Sequence, residues 1–167
     1  MVNFAQIIAM ALTGLLLWSA WSDVTDRRIA NLTVAGVAAL YPLAVVLDVL
    51  PGSPVAGLIL AGIVFVIGLA VFAAGAIGGG DVKLAAALGL WAGSTDAAGF
   101  LLVTALAGGA LSVLILATRN LPFAPYLSGP LKAGPQTDGQ EMPRESVPYG
   151  VALAAGGLWI AYGLIAV

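Results

Sequence analysis

The chain has 167 residues, 61% hydrophobic and only 8% charged, with a mean hydropathy of +1.07; a soluble domain carries about 25% charged residues, and here the apolar residues form long blocks, so the chain belongs in a bilayer as one domain spanning 1–167. It contains neither Cys nor His, which excludes disulfides, thiol nucleophiles, Cys-rich zinc sites, Ser-His triads and haem ligation through His. A hydrolase built on this chain must use carboxylates, hydroxyls or lysine, and the formal net charge of −2 says less than where the charges fall.

An all-α integral membrane protein with six transmembrane helices is predicted, each needing roughly 20 apolar residues. The first span covers Phe4 to Ser22; Met1 to Gln6 lacks the basic start of a cleavable signal peptide, so this span is expected to be retained. The second covers Ile29 to Val49 and the third Val55 to Ile77. The fourth, Val82 to Ala92, is short, and a re-entrant hairpin is the alternative for it. The fifth covers Ala97 to Ala117 and the sixth Val147 to Val167.

The basic residues are Arg27, Arg28, Lys83, Arg119, Lys132 and Arg144. With six spans all of them fall on one side, which the positive-inside rule makes cytoplasmic. Both termini then face outwards, and Asp48 and Asp96 mark outer turns. Residues 119–146 form the one long polar stretch, with Pro122, Pro125, Pro130, Pro135 and Pro143 among several glycines. Such a segment buries too little to fold alone, and it reads as a cytoplasmic loop.

Two carboxylates stand at the cytoplasmic edge of spans. Asp23 ends the first block, in Ser22-Asp23-Val24-Thr25-Asp26-Arg27-Arg28-Ile29-Ala30-Asn31, and Asp81 opens the fourth, in Gly78-Gly79-Gly80-Asp81-Val82-Lys83-Leu84. Ionisable groups at membrane depth are costly and point to function. The glycine run breaks the third span and removes side-chain bulk, so an extended backbone can approach the carboxylate. A pair of aspartates can hydrolyse a peptide bond: one takes a proton from water, and the other donates to the developing oxyanion. A helix N-terminus favours an anion and a C-terminus disfavours it, so the sequence assigns the base to Asp81 and the acid to Asp23. Asp26 adjoins Arg27 and Arg28 and reads as a solvated ion-pair partner. Lys83 reads as a snorkelling residue, or as a charge that stabilises the dyad. Val147-Pro148-Tyr149-Gly150 starts the last span and is placed either as a plain helix start or beside the dyad as part of a substrate cleft.

Gly78 to Leu84 resembles the G-x-G-D-[VI]-K signature of type IV prepilin peptidases, members of the G-x-G-D class of intramembrane aspartyl proteases. Asp23 to Asn31 resembles that family's first motif, an Asp, a basic stretch and Ile-Pro-Asn, with Ala30 in place of the Pro. Val147 to Gly150 resembles its C-terminal Pro-containing motif. The resemblance implies Asp23 and Asp81 as catalytic residues, supported at the cleft by Gly78, Gly79, Gly80, Lys83, Pro148, Tyr149 and Gly150. It implies no metal and no cofactor. Absence of the cysteine-rich N-terminal region resembles the short Tad/Flp-type peptidases, for which methyltransferase activity is not expected. The implied partners are a Flp-type prepilin, the bilayer and components of a pilus or secretion assembly, with no nucleic acid. The implied location is the bacterial cytoplasmic (inner) membrane, with the leader cut on its cytoplasmic side. Two other readings fit the residues: a carboxylate-dependent transporter, and a non-catalytic assembly subunit.

Overall fold

The computed structural model describes residues 3–118 and 149–166. The expected 119–146 loop, Pro148 and the last residue of the sixth span lie outside the described residues. No strand occurs among the described residues; they hold six helices, the first five joined by short turns. Four are long and apolar enough to cross a membrane. They are α1 (Phe4–Asp26), α3 (Pro54–Ala73), α5 (Ala97–Thr118) and α6 (Tyr149–Ala166). The other two, α2 (Asn31–Val46) and α4 (Gly79–Ser94), have 16 residues each, or about 24 Å at 1.5 Å per residue.

Local sequence sets the helix ends. Asn3 caps α1 reciprocally with Gln6: the Gln6 N–H donates to Asn3 Oδ1 at 2.9 Å, and the Asn3 N–H donates to Gln6 Oε1 at 3.1 Å. The helix stops where Arg27 turns left-handed at φ 51°. It therefore runs four residues past the predicted Ser22 and takes Asp23 into its last turns. Pro54 starts α3 at a position where its missing N–H costs nothing. Gly78 caps α4, and Gly79 and Gly80 are its first two residues, so only part of the glycine run is a break. The fourth segment is one continuous helix from Gly79 to Ser94.

Short α4 is the centre of the bundle. It packs on α2, α3, α5 and α6, while α6 also lies against α1 and α5. Leu84, Leu88, Trp91 and Ala92 of α4 are fully buried, alongside Leu12 and Leu16 of α1 and Val37 of α2. The α3–α4 pair approaches closely because Gly89 and Gly93 stand one turn apart. A Cβ at Gly89 would lie 2.9 Å from the Ala61 Cα, and one at Gly93 would lie 2.7 Å from the Gly57 Cα. Small residues at this spacing let backbones meet where lipid supplies no hydrophobic drive. The outer faces of α3 and α5 stay apolar and exposed, with Leu58, Ile59, Val66, Leu102 and Val113 among them. Such faces suit lipid contact.

At the Ser94 end of α4 a polar cluster ties three helices. Tyr41 Oη and Ser94 Oγ are 2.6 Å apart, the Tyr41 hydroxyl also reaches the Pro54 carbonyl at 3.1 Å, and Ser94 Oγ lies 3.1 Å from the Ser53 carbonyl. The Trp91 indole donates to the Val37 carbonyl at 3.0 Å, in the turn before Pro42. These bonds satisfy polar atoms that would be costly unpaired in an apolar interior.

Candidate active site

The opposite end of the bundle gathers the end of α1 and the starts of α4 and α6. Asp23 is on the buried stripe of α1 with Leu12, Leu16 and Ser19, three or four residues apart, and is 7% exposed. Its Oδ2 accepts the Gly150 N–H at 2.8 Å, and the Val151 N–H also interacts with the carboxylate. The first turn of α6 thus meets Asp23 with free backbone donors, the usual form of an anion site at a helix start. A Cβ on Gly150 would lie 2.7 Å from Asp23 Oδ2 and 2.8 Å from Cγ, so this approach needs a glycine. Arg27 stands close enough to act on Asp23 electrostatically. The turn after α1 is held by the Ser22 hydroxyl, which donates to the Arg28 carbonyl at 2.6 Å.

Asp81 is the third residue of α4 and half-buried. Its Oδ2 accepts the Gly78 N–H at 3.2 Å, which pins the carboxylate over the helix start. The α4 start lies against the turn that follows α1: a Cβ on Gly80 would be 3.2 Å from the Ile29 Cβ. Gly79 faces the Phe72 ring, 3.5 Å from a Cβ built there. Asp23 and Asp81 consequently come close enough to interact electrostatically. Asp26, the rival of Asp23, is exposed.

Helix ends act on both carboxylates. Asp23 was placed only against the C-terminus of α1, but the N-terminus of α6 faces the same carboxylate. Asp81 thus lies at one helix N-terminus, whereas Asp23 lies between the last turn of α1 and the N-terminus of α6, which offsets the effect of α1. Lys83 is exposed and donates to Asn31 Oδ1 at 3.2 Å, which links α4 to the first residue of α2.

Asp81 and Tyr149 share the wall of a cavity of about 370 Å³ between α4, α5 and α6. Gly150, one residue on, holds Asp23, so the two carboxylates flank the start of α6. No cluster of three or more His, Cys, Asp or Glu side chains occurs among the described residues. Two hydroxyls escaped sequence reasoning: Ser19 Oγ and Thr104 Oγ1 are buried without a hydrogen-bond partner. Ser19 is one turn from Asp23 and legible by spacing. Thr104 lies within an apolar block and carries no sequence signal.

Residues 10–113 match the type IV leader peptidase family, a range that includes both Asp23 and Asp81. The chain belongs to that family. Membership makes it a protease of the leader-peptidase kind, with a pilin-type substrate in general terms. No curated protein and no solved structure matches the chain. The matched range stops before α6, so the bond from Gly150 to Asp23 adds a contact that the family match does not contain.

Proposed function

We propose that the chain is an aspartyl endopeptidase that removes the leader of Flp-type prepilins at the cytoplasmic face of the bacterial inner membrane. The observation that carries this reading is the meeting of Asp23 and Asp81 at one end of the bundle, with Asp23 on the first turn of α6 and Asp81 on the first turn of α4. Two neighbouring carboxylates share a proton more readily than they both ionise. The ionised member takes a proton from water as the water attacks the scissile carbonyl. The protonated member donates to the oxygen as it becomes an alkoxide, and the amine leaves with a proton returned by the pair.

All six helices are read as spans, with both termini outside, in a single domain over 1–167. Supporting this orientation, Arg27, Arg28 and Lys83 lie at the Asp23 and Asp81 end, and Asp48 and Asp96 lie in turns at the other. Two helices of about 24 Å are short for a 30 Å core, which local thinning of the bilayer accommodates. Residues 119–146 are assigned to the cytoplasmic side, and Pro148 and Tyr149 to the cleft.

The test is leader removal in cells that co-express the chain with a Flp-type prepilin. Wild type and Asp26→Asn are expected to convert the precursor, and Asp23→Asn and Asp81→Asn to accumulate it. Equal processing by all four would remove the aspartates from catalysis and favour a transporter or an assembly subunit.

A further inference from the structure

Independently of the protease chemistry, we infer that the groove between α2, α3 and α4 seats one anionic phospholipid, with part of an acyl chain along α4 and the headgroup phosphate on Lys83. The two faces of α4 differ. Asp81 and Ala85, one turn apart, line the cavity towards α5 and α6. Lys83, Ala86 and Leu90, at helical spacings of three and four, line a separate groove with Val34 and Ala38 of α2 and Phe65 of α3.

The groove follows from how the helices pack. α2 and α3 each lie mainly on α4 rather than on each other, so α4 forms a floor between them. Small side chains at Ala38 and Ala86 keep the groove deep, and its volume is about 460 Å³. The lining is apolar but for Lys83. A gap of this kind on a bilayer-facing surface fills with hydrocarbon, since water finds no polar partners there. From Lys83 to Leu90 is about 10 Å along α4, or roughly a third of a 30 Å hydrocarbon core. That depth takes the part of one chain nearest the headgroup.

Charge selects the headgroup. The Lys83 ammonium donates to Asn31 Oδ1 at 3.2 Å, which holds it at the end of the groove and leaves further N–H donors for a phosphate. That partner is a neutral amide, so it does not offset the positive charge. Asn31 begins α2 without a side-chain cap, and the first N–H groups of a helix have no partner within it. An anionic lipid brings a phosphate to these donors. A zwitterionic lipid also brings an ammonium, which competes with Lys83 for that phosphate.

The test uses the purified full chain in non-ionic detergent, with phosphatidylglycerol and phosphatidylcholine of equal chain length, read by native mass spectrometry. Wild type is expected to retain one phosphatidylglycerol with about fivefold preference, the worth of one basic residue near anionic lipid. Lys83→Gln is expected to retain both lipids equally, and Lys83→Arg to keep the preference. Ala86→Leu leaves the charge in place but fills the groove. Ala86 is half-buried and outside the hydrophobic core, so this variant is expected to fold and to retain neither lipid. Thermal unfolding checks each fold, and because Lys83 is exposed, its variants decide the matter even where Ala86→Leu unfolds. Glycerol phosphate, a headgroup without chains, is expected not to displace the lipid. Equal retention of both lipids by wild type, or an unchanged preference in Lys83→Gln, would overturn the lipid assignment. So would wild-type retention by folded Ala86→Leu, or displacement by glycerol phosphate, which would mark a site for soluble anions.

Discussion

Gly150→Ala tests the site without removing any reacting group. Ala has the higher helix propensity, by about 1 kcal/mol, and Gly150 has no positive φ, so the backbone tolerates the change. The obstacle is contact: the new Cβ would lie 2.7 Å from Asp23 Oδ2, 2.8 Å from Cγ and 2.9 Å from Cβ. Carbon atoms do not approach that closely, so Asp23 or the α6 start must move by several tenths of an ångström. The Gly150 N–H bond at 2.8 Å is then lengthened or lost. A hydrogen bond to a charged group contributes about 1.5–3 kcal/mol, which corresponds to roughly 10- to 150-fold in rate. Displacing a catalytic group by about 1 Å costs a similar factor, on the order of 100-fold. The assay is kcat/KM for prepilin cleavage in detergent, beside thermal unfolding of the same samples. Gly62→Ala is the control, since nothing lies within 4 Å of its Cβ position. A tenfold or greater fall for Gly150→Ala with unfolding within a few degrees of wild type is expected. Cleavage within threefold of wild type would show that the contact between α6 and Asp23 does not position the carboxylate.

Three further outcomes are expected. Gly93→Leu should destabilise the fold by at least about 1–3 kcal/mol through overpacking, because its Cβ meets the backbone of Ala56 and Gly57; unfolding in denaturant reads it. Tyr41→Phe should cost about 1–2 kcal/mol, since Ser94 Oγ loses its 2.6 Å partner in the buried cluster; the same measurement reads it, with prepilin cleavage little changed. Asp96, in the turn before α5, accepts the Gly99 N–H and the Trp159 indole, which hold its carboxyl below the ordinary value of 3.8. A lowered folded-state pKa gives stabilisation that is present above the ordinary value and lost as pH falls through the folded one. The wild-type and Asp96→Asn acid-unfolding curves should therefore separate at neutral pH and converge below the ordinary carboxylate range.

Composition and hydrophobic blocks alone determined the membrane class, and the helix starts were near those predicted because capping chemistry is local: Asn3 with Gln6, Pro54 at a first position, and Gly78 before Asp81. The two aspartates stood out because charges are rare in such a chain, and the family match spans both. Tertiary structure decided what those signals meant. The first helix runs on past Ser22 because the left-handed turn comes at Arg27, a position that a hydropathy pattern does not mark. The shortest apolar segment became the centre because Gly89 and Gly93 let α3 approach it, and closeness of two backbones is a property of the pair rather than of either sequence. Asp23 gained the start of α6 as its partner from 127 residues away. Helix dipoles along one segment could not anticipate that, since the field at a carboxylate is the sum over every element that packs around it.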